Sequence, residues 1–161
     1  MPHREGIKEQ LAKIELKGVR IIDWGRGTRP AIKYLKHVSE DCSYLGIDIR
    51  KDVEADFVAD IGQLVNVTRN GVKAHVAFCL EVIEHVYNFE MAIDNIAFNL
   101  HRNGLLYLSA PFLYPVHSDI DLWRFTNIGL TILLNKAGFA VLEITPTTAD
   151  NAGWFVKAMK L

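Results

Sequence analysis

Carboxylates stand at the ends of four largely apolar runs in this sequence: Asp23 after VRII, Asp48 in GIDI, Asp60 in VADI and Glu81 in CLEV. Ligands of open α/β sheets sit outside the carboxyl ends of the strands, so an acid at a strand tip is placed to meet one. Gly25 and Gly27 follow the first acid, in DWGRGTRP. Glycine tolerates positive φ and lets a ligand approach main chain that a Cβ would shield. Asp48 lies 21 residues beyond Gly27, a spacing that suits an acid accepting hydrogen bonds from both hydroxyls of a ribose. An adenine ring held between Ile49 and Ile61 could present its amino group to Asp60; the other reading of Asp60 is the cap of a helix that begins after it. Leu80, Glu81 and His85 are placed to line the pocket floor. The third glycine of the dinucleotide fingerprint is absent, and Arg29 argues against a nicotinamide or flavin dinucleotide. Taken alone, D-x-G-x-G also fits a tight packing turn that binds nothing.

The elements that position these residues follow from periodicity. Ile7, Leu11, Ile14 and Leu16 predict an amphipathic helix over 4–16, packing beside the first strand. Val19, Ile21 and Ile22 read as a parallel strand covered on both faces. Pro30 suits a first helical turn, and Ala31, Ile32 and Leu35 predict a helix to about His37. Strands are expected at 43–49, 56–59 and 74–80, with so few residues between the first two that the usual crossover helix is shortened or lost. A helix over 89–101 stops at Asn103-Gly104 before a strand at 105–110. Another helix spans 128–136. The last two strands, 139–145 and 154–160, are joined by a link too short for a crossover helix and are therefore antiparallel neighbours.

With 161 residues, half of them hydrophobic, and a formal net charge of −1, the sequence fits one domain over 1–161 with a substantial core. That charge balance gives no footprint for nucleic acid. The apolar run 105–116 is broken by Ser109, Pro111 and Pro115 and is too short to cross a membrane. The first residues, MPHREGIKEQ, lack the apolar core of a signal peptide, and Cys42 and Cys79 are expected as free thiols in a reducing, cytoplasmic setting. Metal ligation by Glu84 and His85 is not expected, since adjacent residues diverge on a helix. The segment 111–126, PFLYPVHSDIDLWRFT, interrupts the α/β rhythm at the top of a strand, where loops commonly face substrate.

In order, DWGRGTRP, GIDI, ADI, CLEVIEHV, SAPFLYP and DLWRFTNIGLTILLNKAGF resemble the small class I S-adenosylmethionine-dependent methyltransferases, from about residue 19 to the end. The nearest likeness is to a subgroup with a G-x-G-x-R-P turn and a W-R-F-T segment. The resemblance implies a Rossmann-like α/β fold with a seven-stranded, mostly parallel sheet in the order 3-2-1-4-5-7-6, strand seven antiparallel. It also implies roles. Asp23, Gly25 and Gly27, with Trp24 and Arg26 beside them, match the motif that holds the methionine end of the cofactor. Asp48 matches the ribose acid, Ile49 the adenine flank, Asp60 and Ile61 the adenine pair, and Leu80 and Glu81 the residues near the cofactor amine. Arg26 departs from the pattern, bringing positive charge towards a cationic sulfonium unless it points to solvent or pairs with a carboxylate such as Glu81.

Methyl transfer from a sulfonium asks mainly for alignment and exclusion of water. An oxygen or nitrogen acceptor can also need a base, and His117 is the candidate, with Asp119 as orienting partner and Tyr114 as a pocket wall; the plainer reading is that His117 and Asp119 only fix the loop. Trp123 and Phe125 are expected to clamp the loop, and Arg124 to pair with Asp121, Asp119 or Glu84. The expected acceptor is a small molecule or saccharide, with no metal, nucleic acid or membrane partner. About 18 residues precede the first strand, a small cap, so the 111–126 loop or a second subunit of a homodimer would close the site. The competing reading is a methyltransferase-like binding or regulatory domain without catalysis.

Overall fold

The β-branched runs pair as parallel strands in the computed structural model, which describes residues 2–68 and 71–161. Helix α1 (Pro2–Leu11) precedes β1 (Glu15–Leu16) and β2 (Arg20–Trp24), and a 3-10 turn (Ala31–Tyr34) leads to β3 (His37–Val38) and β4 (Ser43–Asp48). After β5 (Phe57–Val58) and β6 (Ala74–Leu80) comes a second 3-10 turn (Ile83–His85), then α2 (Phe89–Asn99), β7 (Leu100–Pro111), α3 (Asn127–Lys136), β8 (Phe139–Pro146) and β9 (Gly153–Lys160). The main sheet has seven strands in the order β5-β4-β2-β6-β7-β9-β8. Strand β9 runs antiparallel to both its neighbours, and the other pairs are parallel. Counted along the chain within this sheet, the order is 3-2-1-4-5-7-6, the class I methyltransferase arrangement.

One face of the sheet, with Ile22, Trp24, Ile47, Ala77, Cys79 and Leu108, packs on α2 and α3. The other, with Ile21, Val76, Phe78, Tyr107 and Phe155, packs on α1 and Ala31. Both cysteines are free thiols. No helix among the described residues is long and apolar enough to cross a membrane.

Asn103-Gly104 does not stop α2, which ends at Asn99: β7 already begins at Leu100, and Asn103 at φ +65° lies where its register against β6 shifts. Three further expected elements differ. Helix α1 ends at Leu11 instead of 16, because Glu15–Leu16 pairs in parallel with His37–Val38 as a separate two-stranded sheet. The same pairing replaces the helix expected to run to His37, leaving one 3-10 turn after Pro30 with no side-chain cap. Short isolated helices are marginal, so long-range strand pairing outweighs the apolar spacing. No helix follows Asp60: its Oδ1 instead accepts from the Gly62 amide at 2.8 Å, a local turn.

Two buried asparagines of α2 hold the coil that stands in place of that helix. Asn95 Nδ2 donates to the carbonyls of Ile61 and Gln63, and its Oδ1 accepts from the Val65 amide at 3.0 Å. One turn on, Asn99 accepts from the Val67 amide at 3.0 Å and donates to the Val65 carbonyl at 2.9 Å. The two side chains fix the position of Asp60 and Ile61 beside β4. Truncating Asn95 strands several buried backbone groups, each costing about 1–3 kcal/mol. Asn95→Ala should therefore lower the unfolding free energy by about 3 kcal/mol in urea titration, against under about 0.5 kcal/mol for the exposed neighbour Asp94→Ala.

Candidate functional site

The parallel register sets the ends of β2, β4 and β6 side by side, with Trp24 opposite Ile47 and Cys79. The chain then leaves β2 through Gly25 at φ +68° and Gly27 at φ +54°. The Gly25 and Arg26 amides donate to the Ile47 carbonyl at 2.8 and 3.0 Å, and the Gly27 amide donates to Asp48 Oδ2 at 2.8 Å. The turn is thus folded over the end of β4. A Cβ on Gly25 would lie 2.4 Å from a methyl of Val82, just beyond β6, so Gly25 is required by packing as well as by φ.

Asp23 supports this turn from beneath. It is 2 % exposed, and its Oδ2 accepts from the Ala31 amide at 2.7 Å and the Tyr44 hydroxyl at 2.8 Å. Burial raises its pKa to about 6 against the pull of those donors and of Arg26. Its carboxylate therefore meets protein, as a support of the turn that the motif forms. The Trp24 side chain is buried in the opposite face, among the core residues packed on α2 and α3, leaving its backbone at the turn.

Arg26 is directed over β4. Its side chain crosses Gly46 of β4, where a Cβ would lie 2.5 Å from Arg26 Cδ, and Nη1 donates to the Glu54 carbonyl. The cation sits near Asp23 and Tyr44, not at Glu81.

Asp48 is 5 % exposed beside the turn. Its Oδ1 accepts from the Arg50 amide at 3.0 Å and faces Arg50 Nε at 3.4 Å. Ile49 next to it is 62 % exposed, an apolar side chain open for a flat ring, whereas Ile61 is buried. Half-buried Leu80 ends β6, and Glu81 follows at φ +56°. Left-handed backbone is uncommon for glutamate and marks a position held by its surroundings. Ser109 Oγ donates to Glu81 Oε1 at 2.9 Å, and His3 Nε2 lies 2.8 Å from Oε2. His3 is itself buried, with Nδ1 at 2.6 Å from Thr147 Oγ1.

Tyr114 links this acid to the far side of the site, its ring 5.1 Å from that of His3 and 5.6 Å from that of His117. His117 Nδ1 lies 2.8 Å from Asp121 Oδ2, so the orienting carboxylate is Asp121, correcting the expected Asp119, which is exposed. Arg124 binds both oxygens of Asp121 and also donates to the carbonyls of Tyr114, Pro115 and Trp123. These donors hold the Asp121 carboxyl far below the usual carboxylate range. The Trp123 indole donates to the Val86 carbonyl at 3.0 Å, and Phe125 is buried against Phe89. The loop is clamped as expected.

His3, Thr147 and Ser109 were missed by sequence reasoning. Ser109 had a signal, a hydroxyl in the apolar strand LLYLSAP; His3 had none, its partner lying 78 residues away.

The fold is that of the Rossmann-like class I methyltransferases. The sequence matches the methyltransferase domain family over residues 4–144, and the chain belongs to that family. Comparison with curated proteins by sequence finds no match. Among solved structures, similar folds include a complex between the Haloferax volcanii Trm112 methyltransferase activator and a methyltransferase (TM-score 0.77, 15% identity, 98% of this chain and 89% of that one). An S-adenosylmethionine-dependent methyltransferase from Mesorhizobium loti is similar at TM-score 0.72 and 14% identity, covering 98% of each chain. Burkholderia thailandensis 1,6-didemethyltoxoflavin-N1-methyltransferase, with bound 1,6-didemethyltoxoflavin and S-adenosylhomocysteine, is similar at TM-score 0.71 and 14% identity over 99% of this chain and 78% of that one. At these identities the likeness is one of fold.

The buried Asp23 makes a testable contribution to stability. Its pKa rises on folding from 3.8 to about 6, so between those values the folded chain holds a proton that the unfolded chain has released. Stability from this group is therefore greatest below pH 4 and falls as pH rises through 6, by about 3 kcal/mol in all. Asp23→Asn keeps an acceptor for Ala31 and Tyr44 without the charge. Its unfolding free energy relative to the parent should rise by up to about 3 kcal/mol between pH 4 and pH 7, read by urea titration at both.

Proposed function

We propose that the chain transfers a methyl group from S-adenosylmethionine to a small-molecule or saccharide acceptor. The observation that carries the reading is the Asp48 carboxylate held at 2.8 Å by the Gly27 amide, at the foot of a turn that two positive-φ glycines fold over the end of β4. The bound cofactor supplies an electrophilic methyl on a sulfonium. The remaining tasks fall to this chain. Asp48 keeps acceptor capacity on both oxygens for ribose hydroxyls once the exposed Arg50 side chain swings aside. Ile49 covers a flat adenine, and Asp60 stands at the turn beside β5 to receive its amino group. Glu81, anchored through Ser109 and His3, holds an ammonium group on the other side of the turn. His117, oriented by Asp121, and Tyr114 face the acceptor from the 111–126 segment.

A domain that binds without catalysis is the second reading, and the specific observation in its favour is Arg50 lying over both Asp48 and Gly27. The two part on turnover with an acceptor, after binding is established.

Calorimetric titration with S-adenosylmethionine and S-adenosylhomocysteine tests the cofactor assignment. Asp48→Asn, which retains an acceptor for Gly27, should weaken binding about 10-fold to 100-fold, as expected for a hydrogen bond to a charged group. Arg26→Cys should stay within about threefold of the parent, since its guanidinium is turned towards the Glu54 carbonyl and the turn is held by backbone amides that the substitution leaves in place. No binding by the parent would remove the assignment.

A further inference from the structure

Beside the cofactor cleft, the 3-10 turn after β6 and the 111–126 segment bring together Glu84, His85 and His117, with a ligand atom from each lying within 4.8 Å of the other two. We propose that these three residues form a binding site for a divalent first-row transition ion of the zinc type.

Glu84 carries the argument first. It is 0 % exposed, and neither carboxylate oxygen has a hydrogen-bond partner. A buried carboxylate without a donor is costly unless it is neutralised or meets a cation. The neighbouring group is His85, with Nε2 at 3.5 Å from Glu84 Oε1. Adjacent residues diverge on an α-helix, but here they leave a tight 3-10 turn, and the divergence expected from sequence does not hold.

The two imidazoles are arranged as ligands are. His85 Nδ1 is held by the Ile120 carbonyl, with Ser118 Oγ at 3.3 Å, and His117 Nδ1 by the buried carboxylate of Asp121 at 2.8 Å. An acceptor on Nδ1 fixes the proton there and leaves the Nε2 lone pair for a metal, the usual outer-shell arrangement at histidine ligands. Asp121 is in turn locked by Arg124, so the ring of His117 is oriented by a chain of charge-assisted contacts. The ring centroids of His85 and His117 are 5.1 Å apart, edge to face.

The donor set selects the ion. Two imidazole nitrogens and one carboxylate oxygen suit zinc, cobalt or iron rather than magnesium or calcium, which take oxygen ligands. Ligands at about 2.0–2.1 Å from one ion stand about 3.3 Å apart, so binding requires only a small closure of the three side chains. Glu84 is buried while His85 and His117 are partly exposed, which leaves the ion's remaining positions on the solvent side, open to water or to an oxygen or nitrogen of a ligand. Ligation would also tie the 111–126 segment to the turn after β6. The site goes beyond the methyl-transfer reading and does not depend on it.

Titration of the tag-free full chain with Co²⁺, followed by its visible absorption and by calorimetry, tests the site. The expected result is one equivalent bound per chain, weakened about 100-fold in both Glu84→Gln and His117→Ala, at or above the loss of an outer-shell partner. His37→Ala, an exposed histidine on β3, should bind as the parent does. No uptake by the parent, or uptake unchanged in the two ligand variants, would overturn the proposal and leave Glu84 as a protonated buried acid. His117 lies on an exposed loop, so its variant keeps the test decisive if Glu84→Gln does not fold. S-adenosylhomocysteine binding, read in the same preparation without metal, moves independently and bears on the methyl-transfer reading alone.

Discussion

Parallel strands that end level with one another leave their terminal amides and carbonyls facing the same edge, and something must satisfy them. Here the chain leaving β2 turns back over β4, giving two amides to the Ile47 carbonyl and a third to the Asp48 carboxylate. Two glycines at positive φ make the turn possible, and the acid that anchors it is the buried Asp48. The docking of the turn on β4 sets its immediate neighbours: Val82 packs on Gly25, Arg50 lies on Gly27, and Arg26 is directed across Gly46.

Three buried carboxylates illustrate how differently a fold can accommodate charge. Asp121 is saturated by Arg124 and His117 and stays ionised far into acid. Asp23 has two donors and a cation nearby, yet desolvation outweighs them and lifts its pKa to about 6. Neither oxygen of Glu84 has a hydrogen-bond partner, and burial drives its pKa well above the usual carboxylate value, with Glu81 adding to the rise and Arg124 opposing it. The first two are structural solutions. The third is a debt in a position surrounded by imidazoles, which is why it reads as part of a site.

Much of the architecture was legible because strand patterning is a short-range signal. The largely apolar runs of β2, β4 and β6, the missing helix between β4 and β5, and the antiparallel last pair all follow from composition and connection length. The helix after Pro30 was misread because Ala31, Ile32 and Leu35 have helical spacing, while the pairing of His37–Val38 with Glu15–Leu16 is a contact across more than 20 residues that no local pattern announces. The strand-end acids could be placed by spacing alone. Their partners could not: His3 reaches Glu81 from α1, and Asp121 takes His117 in preference to nearer Asp119 because Arg124 already holds it in place. The asparagines of α2 gave no sequence signal of their own, since two polar residues four apart on an apolar helix face acquire meaning only from the coil they bind.

The central claim is that the turn and Asp48 together hold the ribose of S-adenosylmethionine. A crystal structure of the chain with S-adenosylhomocysteine addresses it most directly. The account predicts both ribose hydroxyls within hydrogen-bond distance of the Asp48 carboxylate, the Gly27 amide still on Asp48, and Arg50 displaced from its place over them. A nucleoside bound elsewhere, with the Arg50 and Asp48 contact intact, would contradict it.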